Sequence, residues 1–377
     1  MRGFALRGAV ALGAVLIGAA YLTAQEKDST MPRVENARVE QRALSGPLAA
    51  AMKALIEQAT QVEWIGYAEP QVANDREVCC QNYSGSRGSG NCGICRLESG
   101  DHGVNMTSRD GGGDSGRNGT VRLEGPHNVV VLLRAEEKHL RKLRVVSDEC
   151  TLDVGGLPFV WLTGVRPAES VAFLTGYVHG ENFDEHENRH VGEGALTAIA
   201  LHADESADRA LESFVRPEER ESLRKHASFW LGEARGKAGL LALQKMAKSD
   251  PSSDVRGHVA FALSVSRETG ALDEMIRMAK QDESAHARGQ ALFWLAQKAG
   301  NKAVGTITSA IENDPDTEVK KKAVFALSQL PKDEGVPKLI EVAQMNHNPA
   351  VRKQAMFWLG QSNDPRALAF FEKVLAQ

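Results

Sequence analysis

The first half of the chain, up to about residue 180, combines two helical patterns with several short apolar runs. Apolar residues at helical spacing predict a helix over 47–60, and Pro167 opens a second helix that runs to about Val178. The apolar runs between these helices predict β-strands at 64–67, 128–134, 140–146 and 159–162. A polar turn between the second and third of these strands predicts a hairpin. The pattern therefore predicts a small α+β domain over 45–180, preceded by a polar linker over 25–44.

The second half of the chain repeats itself every 32 residues. Each unit predicts two amphipathic helices, the first of which carries a Phe-Trp-Leu or Phe-Ala-Leu triplet. Asn348 and Asp364 are placed to cap helices that begin with proline. With an earlier, degenerate pair, the period gives about six helix pairs over 193–377. A gapless repeat predicts an all-α superhelical solenoid, in which each pair buries its apolar face on its neighbours. Residues 181–192 would be a polar hinge between the two parts.

The repeat resembles a known family. Its pattern is an Asp/Pro turn, then Val-Arg-x-x-Ala-x-Phe-x-Leu, then a second amphipathic helix, and this resembles the short HEAT repeats of the phycobilin-lyase type. The resemblance covers just under half of the chain, which as a whole is similar to exported bacterial HEAT-repeat proteins.

In such repeats the basic residue after the first apolar position often bridges to an acid of the adjacent repeat. The resemblance implies this role for Arg256, Arg288, Lys320 and Arg352. Asp254 and Glu318 are candidate partners. The same four cations could instead form a basic stripe that binds an acidic partner.

Aromatic side chains occupy equivalent positions in successive repeats, and Trp alternates with Ala after each phenylalanine. Because this position falls seven residues after the first apolar residue, on the core side, we interpret the aromatics as packing between repeats. An aromatic ladder on a binding face is the alternative. The residues are Phe229, Trp230, Phe261, Phe293, Trp294, Phe325, Phe357 and Trp358.

The first 24 residues have the layout of a secretory signal. Arg2 and Arg7 precede an apolar run from Ala9 to Leu22, and polar residues follow. The run is shorter than the ~20 residues that a spanning helix needs. We therefore expect cleavage of residues 1–24 and a periplasmic or secreted protein without a membrane span, with an uncleaved anchor as the alternative.

All five cysteines lie in the first half, and four of them lie in or near a Gly-rich loop over 84–119. In an exported protein, clustered cysteines form disulfides more often than metal sites, so we predict structural disulfides. One cysteine is left over, or pairs between chains, because the number is odd. A tetrahedral zinc site and redox chemistry are the alternatives. The candidates are Cys79, Cys80, Cys92, Cys95 and Cys150.

A His-Glu-x-x-His motif is typical of zinc hydrolases. On a helix, His186 and His190 would lie one turn apart as zinc ligands, with Glu187 as general base. The two intervening residues are polar, however, and the flanks lack an apolar stripe. We therefore expect no resident metal or cofactor, and the zinc hydrolase is kept as an alternative function.

The balance of acidic and basic residues limits the classes of partner that the protein can bind. The chain has 45 basic and 49 acidic residues, a formal net charge of −4, and acids and bases are equal in number over 191–377. This balance excludes a nucleic-acid binder that depends on a basic surface. We predict a non-catalytic exported scaffold or adaptor that binds a protein partner on the solenoid surface. A lyase-like or chaperone-like accessory role, suggested by the resemblance, is a further hypothesis.

Overall fold

The fold consists of a strand-rich first part followed by paired helices. The computed structural model describes residues 30–72, 76–80, 94–98, 104–108, 127–179 and 189–376. The predicted fold class, a small α+β domain followed by an all-α solenoid, is confirmed.

The described strands form one large sheet and two small ones. In chain order they are β1 (Val34–Glu35), β2 (Arg38–Ala43), β3 (Glu63–Pro70), β4 (Arg76–Cys80), β5 (Ile94–Arg96), β6 (Val104–Ser108), β7 (Asn128–Glu136), β8 (His139–Ser147), β9 (Thr151–Asp153) and β10 (Pro158–Thr163). The large sheet has the strand order β2-β10-β3-β7-β8, and the small ones are β1-β9-β5 and β4-β6. Strands β7 and β8 form the predicted hairpin, and its turn residues Glu137 and Lys138 both have positive φ.

Both faces of the large sheet are apolar. Successive side chains of a strand point to opposite faces, and consecutive apolar residues therefore supply both. On β3, for example, Ile65 and Tyr67 point to one face, where the helices pack, and Trp64 points to the other. The β1-β9-β5 sheet covers this second face with Leu152, among other residues. Gly66 of β3 permits the close packing there, since a Cβ atom would lie 2.9 Å from the ring of Phe159.

Two strands lie where the sequence pattern predicted a polar linker. Strands β1 and β2 fall within 25–44, and β2 pairs in parallel with β10 over six residues. Strand β2 is the edge strand of the large sheet, and its residues are mostly exposed. It contributes backbone hydrogen bonds and little apolar side-chain surface, so it lacks the apolar alternation that reveals a strand.

The helices, in chain order, are α1 (Leu48–Gln58), α2 (Pro167–Val178), α3 (Arg189–Leu201), α4 (Glu205–Phe214), α5 (Glu221–Ala234), α6 (Gly236–Ser249), α7 (Ser253–Val265), α8 (Gly270–Gln281), α9 (Ala285–Ala299), α10 (Val304–Asn313), α11 (Thr317–Ser328), α12 (Lys332–Met345), α13 (Pro349–Gln361) and α14 (Pro365–Leu375). From α3 onward they form successive pairs, and the first helices α5, α7, α9, α11 and α13 stack directly on one another. Asn348 and Asp364 cap α13 and α14 as predicted, accepting from the N–H groups two residues later at 3.0 and 2.9 Å.

The sheet and the solenoid share one hydrophobic core. Helix α3 lies directly on β8, and a Cβ atom on Gly194 would come within 2.5 Å of the carbonyl oxygen of Leu143. Val191 is buried in this contact. Residues 189–192, expected to belong to a polar hinge, are therefore the first turn of a packed helix, because two apolar surfaces meet here.

Candidate functional site

A continuous row of aromatic rings runs along the stacked first helices. Phe229 stacks on Phe261 of the next repeat with centroids 5.8 Å apart, and Phe293 stacks on Phe325 at 5.6 Å. Two tryptophans reach back to the phenylalanine of the preceding repeat: Trp294 to Phe261 at 4.7 Å and Trp358 to Phe325 at 4.8 Å. The row therefore joins consecutive repeats. We call the surface of α5, α7, α9, α11 and α13 that carries this row the first-helix face.

The aromatic rings are half-buried or exposed, so packing between repeats is only part of their environment. Phe229, Trp230, Phe261 and Trp294 are half-buried, and Phe357 is 54% exposed. The deep core is formed by the residues that flank them, such as the buried Ala262 and Leu263. The rings thus contact one another between repeats and leave part of their surface exposed.

A groove of about 520 Å³ crosses α5, α7 and α9 on this face. Phe261 and Trp294 contribute apolar surface to its lining, and several polar side chains contribute the rest. Gly257 leaves room for the next repeat, since a Cβ atom there would lie 3.0 Å from Nε2 of His286. The groove is lined by Lys225, Asp254, Gly257, His258, Phe261, His286, Gln290 and Trp294.

The groove contains a neutral histidine beside charged residues. Burial, followed by the proximity of His226 and Lys225, lowers the pKa of His258 to about 4, so its imidazole is neutral at pH 7. His258 also contacts the ring of Phe261 edge-on at 5.4 Å. His286 lies 3.7 Å from the carboxylate of Asp254 at one side. This surface suits a ligand that is apolar at its centre and polar around it.

Two of the four cations of the predicted basic ladder, Arg256 and Arg288, form buried ion pairs. Arg256 donates from Nε and Nη2 to the carboxylate of Asp282, at 3.0 and 3.1 Å, and Arg288 does so to Asp314 at 2.8 and 3.0 Å. Arg224, which the sequence analysis did not include, forms the same pair with Asp250. Each acid lies 26 residues after its arginine and forms the C-cap of a second helix.

Asp254 and Glu318, the acids expected as partners, lie elsewhere. Asp254 faces His286, and Glu318 pairs with Lys321 at 3.0 Å. They stand in the first turns of the first helices α7 and α11. The other two predicted cations form no such pair: Lys320 donates to the carbonyl of Glu312 at 2.8 Å, and Arg352 donates to the carbonyl of Asn346 at 2.8 Å.

The cysteine cluster is described only in part. Cys95 on β5 is buried and disulfide-bonded. Cys150 is a buried thiol whose Sγ donates to the carbonyl of Val78 at 3.5 Å. Cys79 and Cys80 lie on β4, but their side chains are not described, and Cys92 lies outside the described residues.

The structure describes only the end of the His-Glu-x-x-His motif. His190 is exposed in the first turn of α3, and His186 and Glu187 lie outside the described residues. Among the described residues, no group of three metal-binding side chains is close enough to hold a metal ion.

A buried polar chain, which the sequence analysis missed, joins the sheet to the solenoid. Nδ1 of His202 lies 2.6 Å from the carbonyl of Ala198 and so carries the proton, which leaves Nε2 to accept from Ser170 at 2.8 Å. Tyr67 in turn donates to Ser170 at 2.8 Å. All three side chains are fully buried, and burial lowers the pKa of His202 to about 4. A histidine at the end of the apolar α3 was the only signal in the sequence.

Comparison with known proteins agrees with the observed helix pairs. Residues 304–377 match the family model for HEAT repeats. No curated protein matches the chain. In the part of the chain that is described, no helix is long and apolar enough to cross a bilayer.

Three solved structures are similar to the chain at 17% identity: human deoxyhypusine hydroxylase in complex with glycerol, the complex of CpcE and CpcF of phycocyanin lyase from Nostoc, and YibA from Escherichia coli. They match 56%, 55% and 55% of this chain, and 78%, 80% and 76% of their own. Their TM-scores are 0.24, 0.28 and 0.33.

Proposed function

We propose that the protein is an exported, non-catalytic scaffold that binds a protein partner on the first-helix face of its HEAT-like solenoid. The observation that carries the proposal is the row of half-buried aromatic rings that ends in the exposed Phe357. Aromatic residues are enriched at the centres of protein interfaces, where they supply large contact areas at a low cost in entropy.

The groove across α5, α7 and α9 would be the centre of this interface. Phe261 and Trp294 offer apolar surface, while Gln290 and His286 offer hydrogen bonds at its sides. This arrangement resembles the apolar centre and polar rim of protein interfaces. The equal numbers of acids and bases over 191–377 mean that recognition depends on shape and local contacts more than on long-range attraction.

Export is supported by the N-terminal pattern and by the cysteines. The layout of residues 1–24 is that of a cleaved signal, and a buried disulfide at Cys95 is typical of proteins from oxidising compartments. We propose that Cys79, Cys80, Cys92 and Cys95 form two structural disulfides and that Cys150 is the remaining thiol.

A non-catalytic role is supported by the state of the candidate catalytic groups. Ser170 and His202 are fully buried beneath the helices, so a substrate has no access to this hydroxyl-imidazole pair. The carbonyl of Ala198 takes the place that a carboxylate holds in a catalytic triad.

Site-specific photo-crosslinking in cells that produce the full chain tests the proposed interface. A photoreactive residue is introduced at Gln290 in the groove or, as a matched control, at Leu241, which is exposed on α6. We expect one protein adduct of defined mass from position 290, its loss when Phe261→Ala is added, and no such adduct from position 241. Thermal melting of the Phe261→Ala variant verifies that it is folded. Adducts that are the same from both positions, or none from position 290, would contradict the proposal.

The mass of the protein in cell fractions tests export independently. We expect the periplasmic or secreted fraction to contain a chain that begins near residue 25. Accumulation of the full-length mass in the cytoplasm would contradict export without affecting the proposed interface.

A further inference from the structure

Each ion pair is one step of the ladder of ion pairs. At the fourth equivalent position, lysine replaces the arginine and asparagine replaces the aspartate. The three pairs Arg224–Asp250, Arg256–Asp282 and Arg288–Asp314 follow the same spacing of 26 residues. At the next position this spacing joins Lys320 to Asn346. The three aspartates are buried, whereas Lys320 and Asn346 are only half-buried. The fourth step therefore lacks a carboxylate where the three preceding steps hold one.

Asn346 preserves one half of the aspartate's hydrogen bonding. Its Oδ1 accepts from the N–H of Asn348 at 2.9 Å, as Oδ1 of Asp282 does from Ser284 and Oδ1 of Asp314 does from Asp316. This leaves the Nδ2 amide, a hydrogen-bond donor, at the position where the aspartates place Oδ2. A neutral amide is the residue to expect here, because an aspartate without its arginine would be a charge without its bidentate partner.

Lys320 adds a second donor. Its ammonium donates to the carbonyl of Glu312 at 2.8 Å, and an ammonium carries two further N–H groups. Lys320 and Asn346 both line a cavity of about 430 Å³, together with the apolar side chains of Ile311, Val342 and Met345. This volume is in the usual range for sites that bind small ligands.

The other charged groups at the cavity do not strongly oppose the binding of an anion. Lys338 and Glu341 neutralise each other through an ion pair of 2.8 Å. Glu312 is exposed, so water screens its carboxylate, and its carbonyl oxygen is the group that positions Lys320. His347 also lines the cavity and contributes no negative charge.

We propose that this cavity binds a carboxylate with a short apolar tail, which supplies from outside the group that the fourth step lacks. The carboxylate accepts from Lys320 and from Nδ2 of Asn346, and the tail contacts Ile311, Val342 and Met345. The source is a small monocarboxylic acid or the C-terminus of a peptide with an apolar last residue. The cavity shares no residue with the groove on the first-helix face, so the inference stands or falls independently of the proposed function.

Calorimetric titration of the full chain with chosen probes tests the inference. Hexanoate is compared with hexanol, which has the same tail without the carboxylate, and a tetrapeptide ending in leucine is compared with its C-terminal amide. We expect hexanoate or the free peptide to bind with a dissociation constant on the order of 1 mM or below, and at least tenfold more tightly than its uncharged counterpart. Tighter binding of the peptide than of hexanoate identifies a protein C-terminus as the source, and the reverse identifies a small acid.

Three variants locate the binding. Lys320→Gln removes the ammonium and should weaken binding at least tenfold. The double change Lys320→Arg with Asn346→Asp restores the pair found in the other three steps, and it should abolish binding while raising the melting temperature. The control Lys321→Gln, on the same helix but outside the cavity, should bind as the wild type does. The inference is overturned if neither acid binds, if hexanol binds as well as hexanoate, or if the double variant retains the wild-type affinity.

Discussion

The guanidinium of Arg256 donates two parallel hydrogen bonds to the carboxylate of Asp282, and the backbone carbonyl of the same aspartate accepts from Arg288 at 2.9 Å. Asp282 therefore links the arginine of one repeat to the arginine of the next. A fourth hydrogen bond, from the N–H of Ser284 to Oδ1 of Asp282, fixes the turn between helices. Arg256 likewise donates to the carbonyl of Asp250, so the three ion pairs are linked in series through the turns between repeats.

We expect loss of one arginine from the ladder to destabilise the solenoid strongly. Arg256→Met leaves Asp282 buried without its partner, which should cost about 3–5 kcal/mol of unfolding free energy. Lys320→Met, at the equivalent position of the fourth step, should cost less than about 1 kcal/mol, because no buried carboxylate depends on it. Urea unfolding measures both. Equal losses in the two variants would show that the pairs contribute little as pairs.

Gly232 and Gly360 occupy the same position of the repeat in different surroundings. A Cβ atom on Gly232 would lie 2.1 Å from the carbonyl oxygen of Ala262, whereas one on Gly360 would meet nothing within 4 Å. We expect Gly232→Ala to lower the unfolding free energy by about 2 kcal/mol or more, because helix backbones must separate. Gly360→Ala should raise it by up to about 1 kcal/mol through helix propensity. Melting temperatures that shift in the same direction would contradict this contrast.

The buried His202 should make stability fall in mild acid. Its pKa is about 4 in the folded protein and about 6.5 when unfolded, so the unfolded chain binds more protons between these values. The unfolding free energy should therefore decrease as the pH falls from 6.5 to 4, by up to about 3 kcal/mol from this residue. Chemical unfolding across this range should give a shallower slope for His202→Gln than for wild type. The exposed His190→Gln serves as the matched control for replacing a histidine by glutamine.

Glu69 should make the unfolding free energy fall as the pH rises, which is the opposite of the effect of His202. Burial, reinforced by Asp204, raises its pKa to about 8, and its Oε1 is buried without a hydrogen-bond partner. The folded state holds this proton between pH 4.5 and 8, so stability falls as the pH rises through that range. Glu69→Gln resembles the protonated carboxyl and should gain roughly 2 kcal/mol at pH 8 relative to its effect at pH 5, after allowance for screening. A gain that is the same at both pH values would contradict the assignment.

Thiol counting tests the disulfides proposed for the first half of the chain. Protein purified and denatured without reductant should show one reactive thiol, from Cys150, and five after reduction. Cys150→Ser should reduce the first number to none. More than one thiol in the unreduced wild type would show that the four remaining cysteines are not all paired.

Local periodicity was sufficient for much of the fold. The helix at 47–60, the β7–β8 hairpin and the solenoid helices follow from spacing, turn residues and caps that act over a few residues. Strand β2 was missed, because an edge strand that contributes mainly backbone hydrogen bonds needs no apolar pattern. The β1–β9 pairing joins Val34 to Leu152, a contact between distant residues that neither segment indicates alone.

The candidate sites were harder to predict than the fold, because their contacts form only when the repeats stack on one another. The sequence by itself determined the 32-residue period, the equivalent arginines and the aromatic row, because a repeat places the same residue at the same point of every unit. Only the tertiary structure decided that Arg256 pairs with Asp282 and not with Asp254, and that the rings of Phe261 and Trp294 line a groove. The physical reason is that a local pattern sets which way a side chain points along its helix, whereas its partner is set by the distance and rotation between helices that only packing establishes.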